Sequence, residues 1–196
     1  MKFFQSFFLG IFGALGALFL EIIILTVSSP LSSNSEVIAK EFESIGLFFF
    51  LAILAEEFSK YILIYKFHGR ENSKSNVVLN SLFFGIGFSM LEAFLIYWNY
   101  QNENIFDLMG FSGIIIVHIS TTMLIGYSMR KNKNNFIPSL FFGFIPALLI
   151  HLIYNLLKMI EVNHQKEITL IFLILLVFAN FFLLFEPRIS KNVEKI

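Results

Sequence analysis

Six long apolar runs, separated by short polar connections, follow one another along the chain. Each run is close to the twenty or so apolar residues that an α-helix needs to cross the hydrocarbon core of a bilayer. The pattern predicts an all-α fold, a polytopic membrane helix bundle with about six transmembrane helices. The predicted spans cover residues 3–27, 45–65, 77–98, 109–129, 136–158 and 168–186.

The first run stands directly behind Lys2 and has the position of a signal peptide. However, its apolar stretch is longer than the hydrophobic region of a signal peptide, and no A-x-A cleavage site follows it. We therefore expect a retained helix. Gly10, Gly13 and Gly16 recur along this helix at spacings that would let a second helix approach closely.

The composition is that of an integral membrane protein. Of the 196 residues, 57% are hydrophobic and only 14% are charged, whereas soluble domains are about 45–50% apolar and about 25% charged. The net charge is zero and there is no basic stripe, which argues against a nucleic-acid partner. Cysteine is absent, which excludes disulfides, thiolate metal ligands and cysteine nucleophiles. We expect one transmembrane domain, residues 1–196, that is multi-pass in the cell membrane.

Lysine and arginine are unevenly distributed over the connections. Ten of the 14 lie at the two termini and in the second and fourth connections, three lie in the first and fifth connections, and Lys60 lies inside a span. Cytoplasmic segments of membrane proteins carry the excess of basic residues. The distribution therefore predicts that both termini face the cytoplasm.

Ionisable groups interrupt four of the spans, although a charged group costs about 2.5–3.5 kcal/mol at the centre of a membrane helix. With a rise of about 1.5 Å per residue, their depths agree to within a turn or two. We therefore expect them to line one cavity. They are Glu56, Glu57 and Lys60 in the second span, Glu92 in the third, His118 in the fourth and His151 in the fifth, where Asn155 follows one turn later.

Spacing within the second and fifth spans adds detail. Lys60 follows Glu56 by four residues and Glu57 by three, so either carboxylate can pair with the lysine. Adjacent residues of a helix point about 100° apart, so one glutamate can hold Lys60 while the other faces the cavity. Pro146 precedes His151 by five residues, and we expect it to bend the fifth span.

The remaining polar residues of the spans allow simpler interpretations. We expect the hydroxyl groups of Ser89, Ser120, Thr121 and Thr122 to hold helices together by hydrogen bonds. Glu21 lies near the outer end of the first span. For this residue a helix-to-helix contact, an interfacial position and a place in the site all stay open.

Carboxylates beside histidines in a cavity of low dielectric are suited to activating water, and histidine and amide donors are suited to stabilising an oxyanion. The set therefore favours hydrolysis of an amide bond. Two histidines and a carboxylate are also a legitimate zinc set. H-E-x-x-H is absent, which leaves the zincin route unsupported. The GFSG stretch at 110–113 matches the Gly-x-Ser-Gly of rhomboid serine proteases, but this short pattern is weak.

Four motifs stand in consecutive spans: E-E-x-x-K at 56–60, F-x-x-x-E at 88–92, a histidine in HISTTMLIGY at 118–127, and H-x-x-x-N at 151–155. Together they resemble the PrsW family of glutamic-type intramembrane proteases, which is grouped with the CAAX-protease and bacteriocin-processing membrane proteins. The resemblance covers about residues 45–160. Prenyl-processing relatives usually have E-E-x-x-x-R and F-x-x-x-H, so Lys60 and Glu92 favour the PrsW side.

The resemblance implies an intramembrane endopeptidase that cleaves membrane-anchored proteins, such as anti-sigma factors, at a site near the outer surface. Glu56 or Glu57 would activate the water. The groups that would polarise or stabilise the reacting atoms are His118, His151 and Asn155, with Glu92 completing the cluster and Lys60 and Phe88 supporting it. No cofactor is expected on this interpretation. The alternatives are a zinc site formed by Glu92, His118 and His151, and a non-enzymatic membrane transporter or interaction protein that uses the same buried charges.

Overall fold

The computed structural model describes residues 3–28, 37–68, 74–99, 108–133, 135–159 and 163–193. This part of the chain forms six helices that follow the six apolar runs. Their bounds are α1 Phe3–Ser28, α2 Val37–His68, α3 Lys74–Asn99, α4 Leu108–Lys131, α5 Phe136–Met159 and α6 Gln165–Val193. Within α5, an α-helical turn at Phe136–Ser139 leads into a π-helical turn at Leu140–Phe144 and then into the α-helix Ile145–Met159.

The predicted polytopic membrane helix bundle is confirmed. Five of these helices are long and apolar enough to cross a membrane, namely α1, α3, α4, α5 and α6. The helix α2 is 32 residues long and carries the ionisable groups Glu56, Glu57 and Lys60 within its length. It exceeds the length that a bilayer requires, and its polar groups point into the bundle rather than into lipid.

Contacts between neighbouring helices show that the chain runs up and down. Ser81 of α3 lies against Gly126 of α4 and Gly85 lies against Ile119, so these two helices are antiparallel. Between α4 and α5, Gly113 contacts Tyr154, whereas Gly143 contacts Ser128. Alternation of direction is the simplest topology for consecutive membrane helices with short connections.

The helices α1 and α3 are parallel and interlock closely. Phe3 stacks on Phe83 with the ring centroids 5.0 Å apart. Gly10 of α1 lies against the backbone at Phe84, and Gly87 of α3 lies against the backbone carbonyl of Phe7. A side chain at either glycine would collide with the opposite helix, so small residues allow this approach. The expectation for Gly16 was wrong, because no atom of the other described helices lies within 4 Å of the place that a side chain would take.

The core lies where α2, α3, α4 and α5 meet. Its large buried side chains are aromatic and aliphatic, and they enclose the polar groups described below; they include Tyr61, Ile64, Phe84, Phe88, Ile125 and Met129. A smaller apolar cluster joins α4, α5 and α6 and contains Val117, Tyr154, Leu173 and Leu176. The orientation with cytoplasmic termini stays a prediction, and three residues on which it rests, Lys2, Arg70 and Lys195, lie outside the described residues.

Candidate active site

Lys60 is the centre of a buried polar cluster. Its ammonium group donates to Glu57 Oε1 at 2.5 Å, to His118 Nδ1 at 2.6 Å and to Thr121 Oγ1 at 3.3 Å. Lysine has three hydrogens to donate, so all of them are used. Lys60 and Glu57 are both 0% exposed. The structure therefore decides which carboxylate holds the lysine: it is Glu57, at a spacing of three residues.

Phe88 packs against this cation from α3. Its ring centroid lies 4.7 Å from Lys60 Nζ and 5.0 Å from the centroid of the His118 ring. An aromatic face attracts a cation most strongly where water is excluded. The phenylalanine of the F-x-x-x-E motif therefore stabilises the lysine and fixes one side of His118.

His151 is oriented by Glu57. Its Nδ1 lies 2.7 Å from Glu57 Oε1, an oxygen that also receives the Lys60 hydrogen bond. A carboxylate only accepts, so Nδ1 carries the hydrogen, and Nε2 of the neutral ring keeps its lone pair. The rings of His151 and His118 meet edge to face with their centroids 5.0 Å apart. Glu57 thus acts on the site through His151 and leaves Nε2 available.

In His118 the hydrogen lies on Nε2, whereas in His151 it lies on Nδ1. Because the Lys60 ammonium only donates, Nδ1 of His118 accepts, and the hydrogen of the neutral ring lies on Nε2. This nitrogen faces the carboxylate of Glu92, with which it forms a close pair. His118 is only 1% exposed, whereas the Glu92 side chain is 27% exposed. The imidazole of His118 therefore presents an N–H donor towards the open part of the site.

Glu56 is the carboxylate that is left open. Its side chain is 15% exposed, and Oε2 lies 3.7 Å from His151 Nδ1, beyond hydrogen-bond distance. Among the described residues no donor reaches this oxygen. Glu57 Oε2 also has no such donor, but the Glu57 charge is matched by Lys60 and its side chain has no access to solvent. Of the two adjacent glutamates, Glu56 is the one whose side chain has access to solvent, although its unpaired oxygen Oε2 is itself buried.

The π-helical turn of α5 lies just before the proline that precedes His151. Ile145 donates its backbone N–H to the carbonyl of Leu140, five residues earlier. Pro146 has no N–H, and its ring would crowd the carbonyl four residues before it in a regular α-helix. The wider π turn relieves this crowding, so the helix continues to His151 instead of ending. Turns of this type are frequent at functional sites.

Thr121 differs from its predicted role, and the role of Asn155 stays a prediction. Thr121 was expected only to join helices, yet it accepts a hydrogen bond from Lys60. Its position three residues after His118, on the same helical face, was the available signal. Asn155 is half-buried one turn after His151, and its amide is not among the polar contacts of the described cluster. Ser112 of the GFSG stretch donates to the carbonyl of Met109 and lines an apolar groove between α4 and α6.

Comparison with protein families identifies the family of the chain. The model of a family described as PrsW family intramembrane metalloprotease matches residues 3–184. The chain belongs to the PrsW family. As a PrsW-family protein it is an intramembrane protease and a multi-pass membrane protein. The match extends on both sides of the region 45–160 that carries the four motifs, so α1 and most of α6 are also part of the family's fold. Neither the curated proteins nor the solved structures include a match.

The family description names a metalloprotease, so the donor set has to be tested against a metal. Glu56, His118 and His151 each offer one ligand atom, and these atoms lie within 4.8 Å of one another. Two imidazoles and a carboxylate are ligands that catalytic zinc accepts, and a carboxylate behind a histidine, as Glu57 stands behind His151, is the usual support. The residues fit. In the described part of the chain the converging carboxylate is Glu56 and not the expected Glu92, because Glu92 approaches from α3 and pairs with His118.

Proposed function

We propose that this PrsW-family protein cleaves a peptide bond of membrane-anchored proteins, anti-sigma-factor-like substrates among them, with Glu56 as the carboxylate that meets the attacking water. The oxygen of Glu56 that lies beside His151 without a donor, on a side chain that is partly exposed, carries the proposal. Its neighbour Glu57 is neutralised by Lys60 and is closed to solvent, so it acts as a positioning residue.

The reaction follows from these positions. Glu56 takes a proton from a water molecule as the water oxygen attacks the carbonyl carbon of the scissile bond. The carbonyl oxygen, on which negative charge develops, accepts a hydrogen bond from Nε2–H of His118 once the substrate has displaced Glu92 from that hydrogen, and the side-chain amide of Asn155 is a second donor one turn after His151. Glu56 then gives its proton to the nitrogen of the leaving amine as the carbon–nitrogen bond breaks.

The buried ion pair keeps the two imidazoles ready for this role. Lys60 directs the hydrogen of His118 to Nε2, and Glu57 directs the hydrogen of His151 to Nδ1. If a zinc ion binds, Glu56, His118 and His151 would hold it, and it would polarise the scissile carbonyl and acidify a water. Glu57 would keep its positioning role behind His151, whereas the hydrogen that Lys60 directs to Nε2 of His118 would have to leave that nitrogen before it could bind the metal.

The test is a cleavage assay with the purified protein in detergent and a panel of single-span membrane proteins. We expect Glu56→Gln to lower cleavage by a factor of about 10²–10⁴, as removal of a general base usually does. Glu167→Gln is the matched control, because Glu167 is an exposed glutamate at the start of α6, and it should cleave like the wild type.

A second arm adds a strong chelator and then zinc. Inhibition that zinc reverses would assign Glu56 as a metal ligand, whereas cleavage that the chelator leaves unchanged would assign it as the base. Glu56→Gln protein that cleaves at more than a third of the wild-type rate would contradict the proposal in either form.

A further inference from the structure

Thr121 and Thr122 are neighbouring threonines of α4 whose side chains share most of their surroundings. Both are 0% exposed, and both hydroxyl groups donate a hydrogen bond to the backbone carbonyl of His118, at 3.3 and 2.7 Å. Threonine in a helix commonly bonds back to its own backbone in this way. In one respect the two residues differ: Thr121 Oγ1 also lies 3.3 Å from Lys60 Nζ of α2.

The hydroxyl of Thr121 is an acceptor for the Lys60 ammonium group. A hydroxyl has one hydrogen, and in Thr121 this hydrogen is directed to the carbonyl of His118. The ammonium of Lys60 has only hydrogens to offer, so a lone pair of Oγ1 faces it. Thr121 is therefore the third acceptor of a buried cation, beside Glu57 Oε1 and His118 Nδ1.

Three acceptors fix the rotation of the ammonium group. Its hydrogens are spread evenly around Nζ, so one staggered arrangement serves all three partners. Two of those partners, His118 and Thr121, stand one turn apart on α4, whereas Lys60 comes from α2. Without the Thr121 hydroxyl, one ammonium hydrogen would be buried without an acceptor, which is costly. The ammonium would then sample several orientations, and its bond to His118 Nδ1 would weaken.

The bond from Lys60 to His118 Nδ1 matters most when a substrate is bound. In the resting site the hydrogen on Nε2 of His118 is held from two sides, by Lys60 at Nδ1 and by the carboxylate of Glu92 at Nε2. The substrate carbonyl has to displace Glu92 before it can accept that hydrogen. Of these two contacts, only the one from Lys60 then remains to keep the hydrogen on Nε2, where the oxyanion needs a donor.

We infer that Thr121 is a positioning residue of the cleavage reaction: through Lys60 it keeps the hydrogen of His118 on Nε2 while the oxyanion forms. The inference rests on the proposed function, because it concerns the oxyanion donor of the same site. It gives the two threonines different roles. The hydroxyl bonds of Thr122 within the described part of the chain stay inside α4, so Thr122 belongs to the structure of the helix and not to the reaction.

The first arm of the test measures kcat and KM on a single-span membrane protein that the wild type cleaves. Thr121→Val replaces the hydroxyl by a methyl group and should lower kcat about tenfold per folded molecule with KM nearly unchanged, because the lost support acts only in the transition state. Thr121→Ser keeps the acceptor and should keep most of the wild-type kcat. Thr122→Val is the matched control and should cleave like the wild type. Thr121→Ala, which also lacks the acceptor, replaces the valine variant if that variant does not fold.

The second arm locates the hydrogen of His118 without any substrate. Nitrogen-15 NMR of protein with labelled imidazoles distinguishes a ring nitrogen that carries a hydrogen from one that does not, and His118→Ala assigns the signals. The Glu92→Ala background removes the support at Nε2. In this background Nε2 should still carry the hydrogen, and adding Thr121→Val should move part of it to Nδ1, whereas adding Thr122→Val should not.

Several results would overturn the inference while leaving the proposed function in place. They are a wild-type kcat in Thr121→Val, a change confined to KM, an equal loss in Thr121→Ser or Thr122→Val, and an Nε2 hydrogen that is absent in Glu92→Ala or unmoved when Thr121→Val is added. The proposed function fails instead if Glu56→Gln cleaves like the wild type. Because the NMR arm needs no cleavage, it tests the link from Thr121 to His118 even then.

Discussion

The helices α3 and α6 are both long and apolar, yet they occupy opposite environments. In the apolar window of α3, 56% of the residues are buried, against 17% in α6. Phe84 of α3 is 0% exposed, whereas Phe178 of α6 is 69% exposed. Lipid is as apolar as the protein interior, so hydrophobicity does not decide which helix is central. Small and polar residues decide it: α3 has Gly85, Gly87 and Glu92, and α6 has no glycine.

Lys60→Met tests the buried polar interior against which α3 packs, and we expect it to have the largest effect on stability. The substitution leaves Glu57 as a buried charge without its cation, which should lower the free energy of unfolding by about 3–5 kcal/mol. Thermal unfolding in detergent measures the loss. Replacing both partners, as in the double variant Glu57→Leu with Lys60→Met, should recover most of it.

Lys66→Met is the matched control for that prediction. Lys66 is an exposed lysine near the end of α2, so its replacement should change the free energy of unfolding by less than about 0.5 kcal/mol. Equal effects of Lys60→Met and Lys66→Met would contradict the buried ion pair.

The close approach of α1 and α3 provides the second prediction. In Gly87→Ala, the new methyl group would meet the backbone carbonyl of Phe7, which cannot move independently of its helix. We expect a loss of about 1–3 kcal/mol in the free energy of unfolding. Gly16→Ala, on the open side of α1, should be neutral or stabilising by up to about 1 kcal/mol. If Gly87→Ala left the free energy of unfolding unchanged, α1 would not interlock with α3.

Phe88→Leu and Phe94→Leu compare a buried and an exposed phenylalanine of α3. Phe88→Leu removes the aromatic face beside Lys60 and should lower the free energy of unfolding by about 1–2 kcal/mol. Phe94→Leu is the control on the same helix, since Phe94 is exposed and faces lipid, and it should have almost no effect. Similar losses in the two variants would show that ring size, and not the contact with Lys60, determines the result.

The smallest effect is expected in α6. Asn180 donates to Ser120 Oγ at 2.8 Å, a side-chain hydrogen bond between α6 and α4. Asn180→Leu should cost about 0.6 kcal/mol, the average for such bonds in membrane proteins. Thr169→Val, at a buried polar residue of the same helix, is the comparison, and thermal unfolding in detergent measures both variants. A loss above about 2 kcal/mol would make α6 as central as α3.

The sequence was sufficient to predict the number of helices and their approximate limits, because a bilayer demands long apolar runs. It was also sufficient to predict which ionisable residues lie together, because each of them interrupts an apolar span at a similar depth. It could not choose between Glu56 and Glu57, which are adjacent and identical in chemistry. That choice depends on which carboxylate reaches Lys60 and which one remains open, and both follow from how α2 is rotated against α4 and α5.

Other features were hidden for similar reasons. The π-helical turn before Pro146 is a property of the backbone, and a proline in a span predicts only that something must change there. The packing of Gly10 and Gly87, and the open position of Gly16, depend on helix crossing points that spacing alone does not determine. Thr121 resembled its neighbours Ser120 and Thr122 until its contact with Lys60 was visible.

The most direct test of the central claim compares Glu56→Gln with Glu57→Gln in one experiment that records both cleavage per folded molecule and thermal unfolding. Glu56→Gln should cleave about 10²–10⁴ times more slowly and unfold like the wild type. Glu57→Gln should unfold at a clearly lower temperature, because Lys60 loses its charge partner, and its folded fraction should lose only about 10- to 100-fold in cleavage, as loss of a supporting partner does. The opposite pattern, with Glu57→Gln stable and inactive and Glu56→Gln active, would contradict the account.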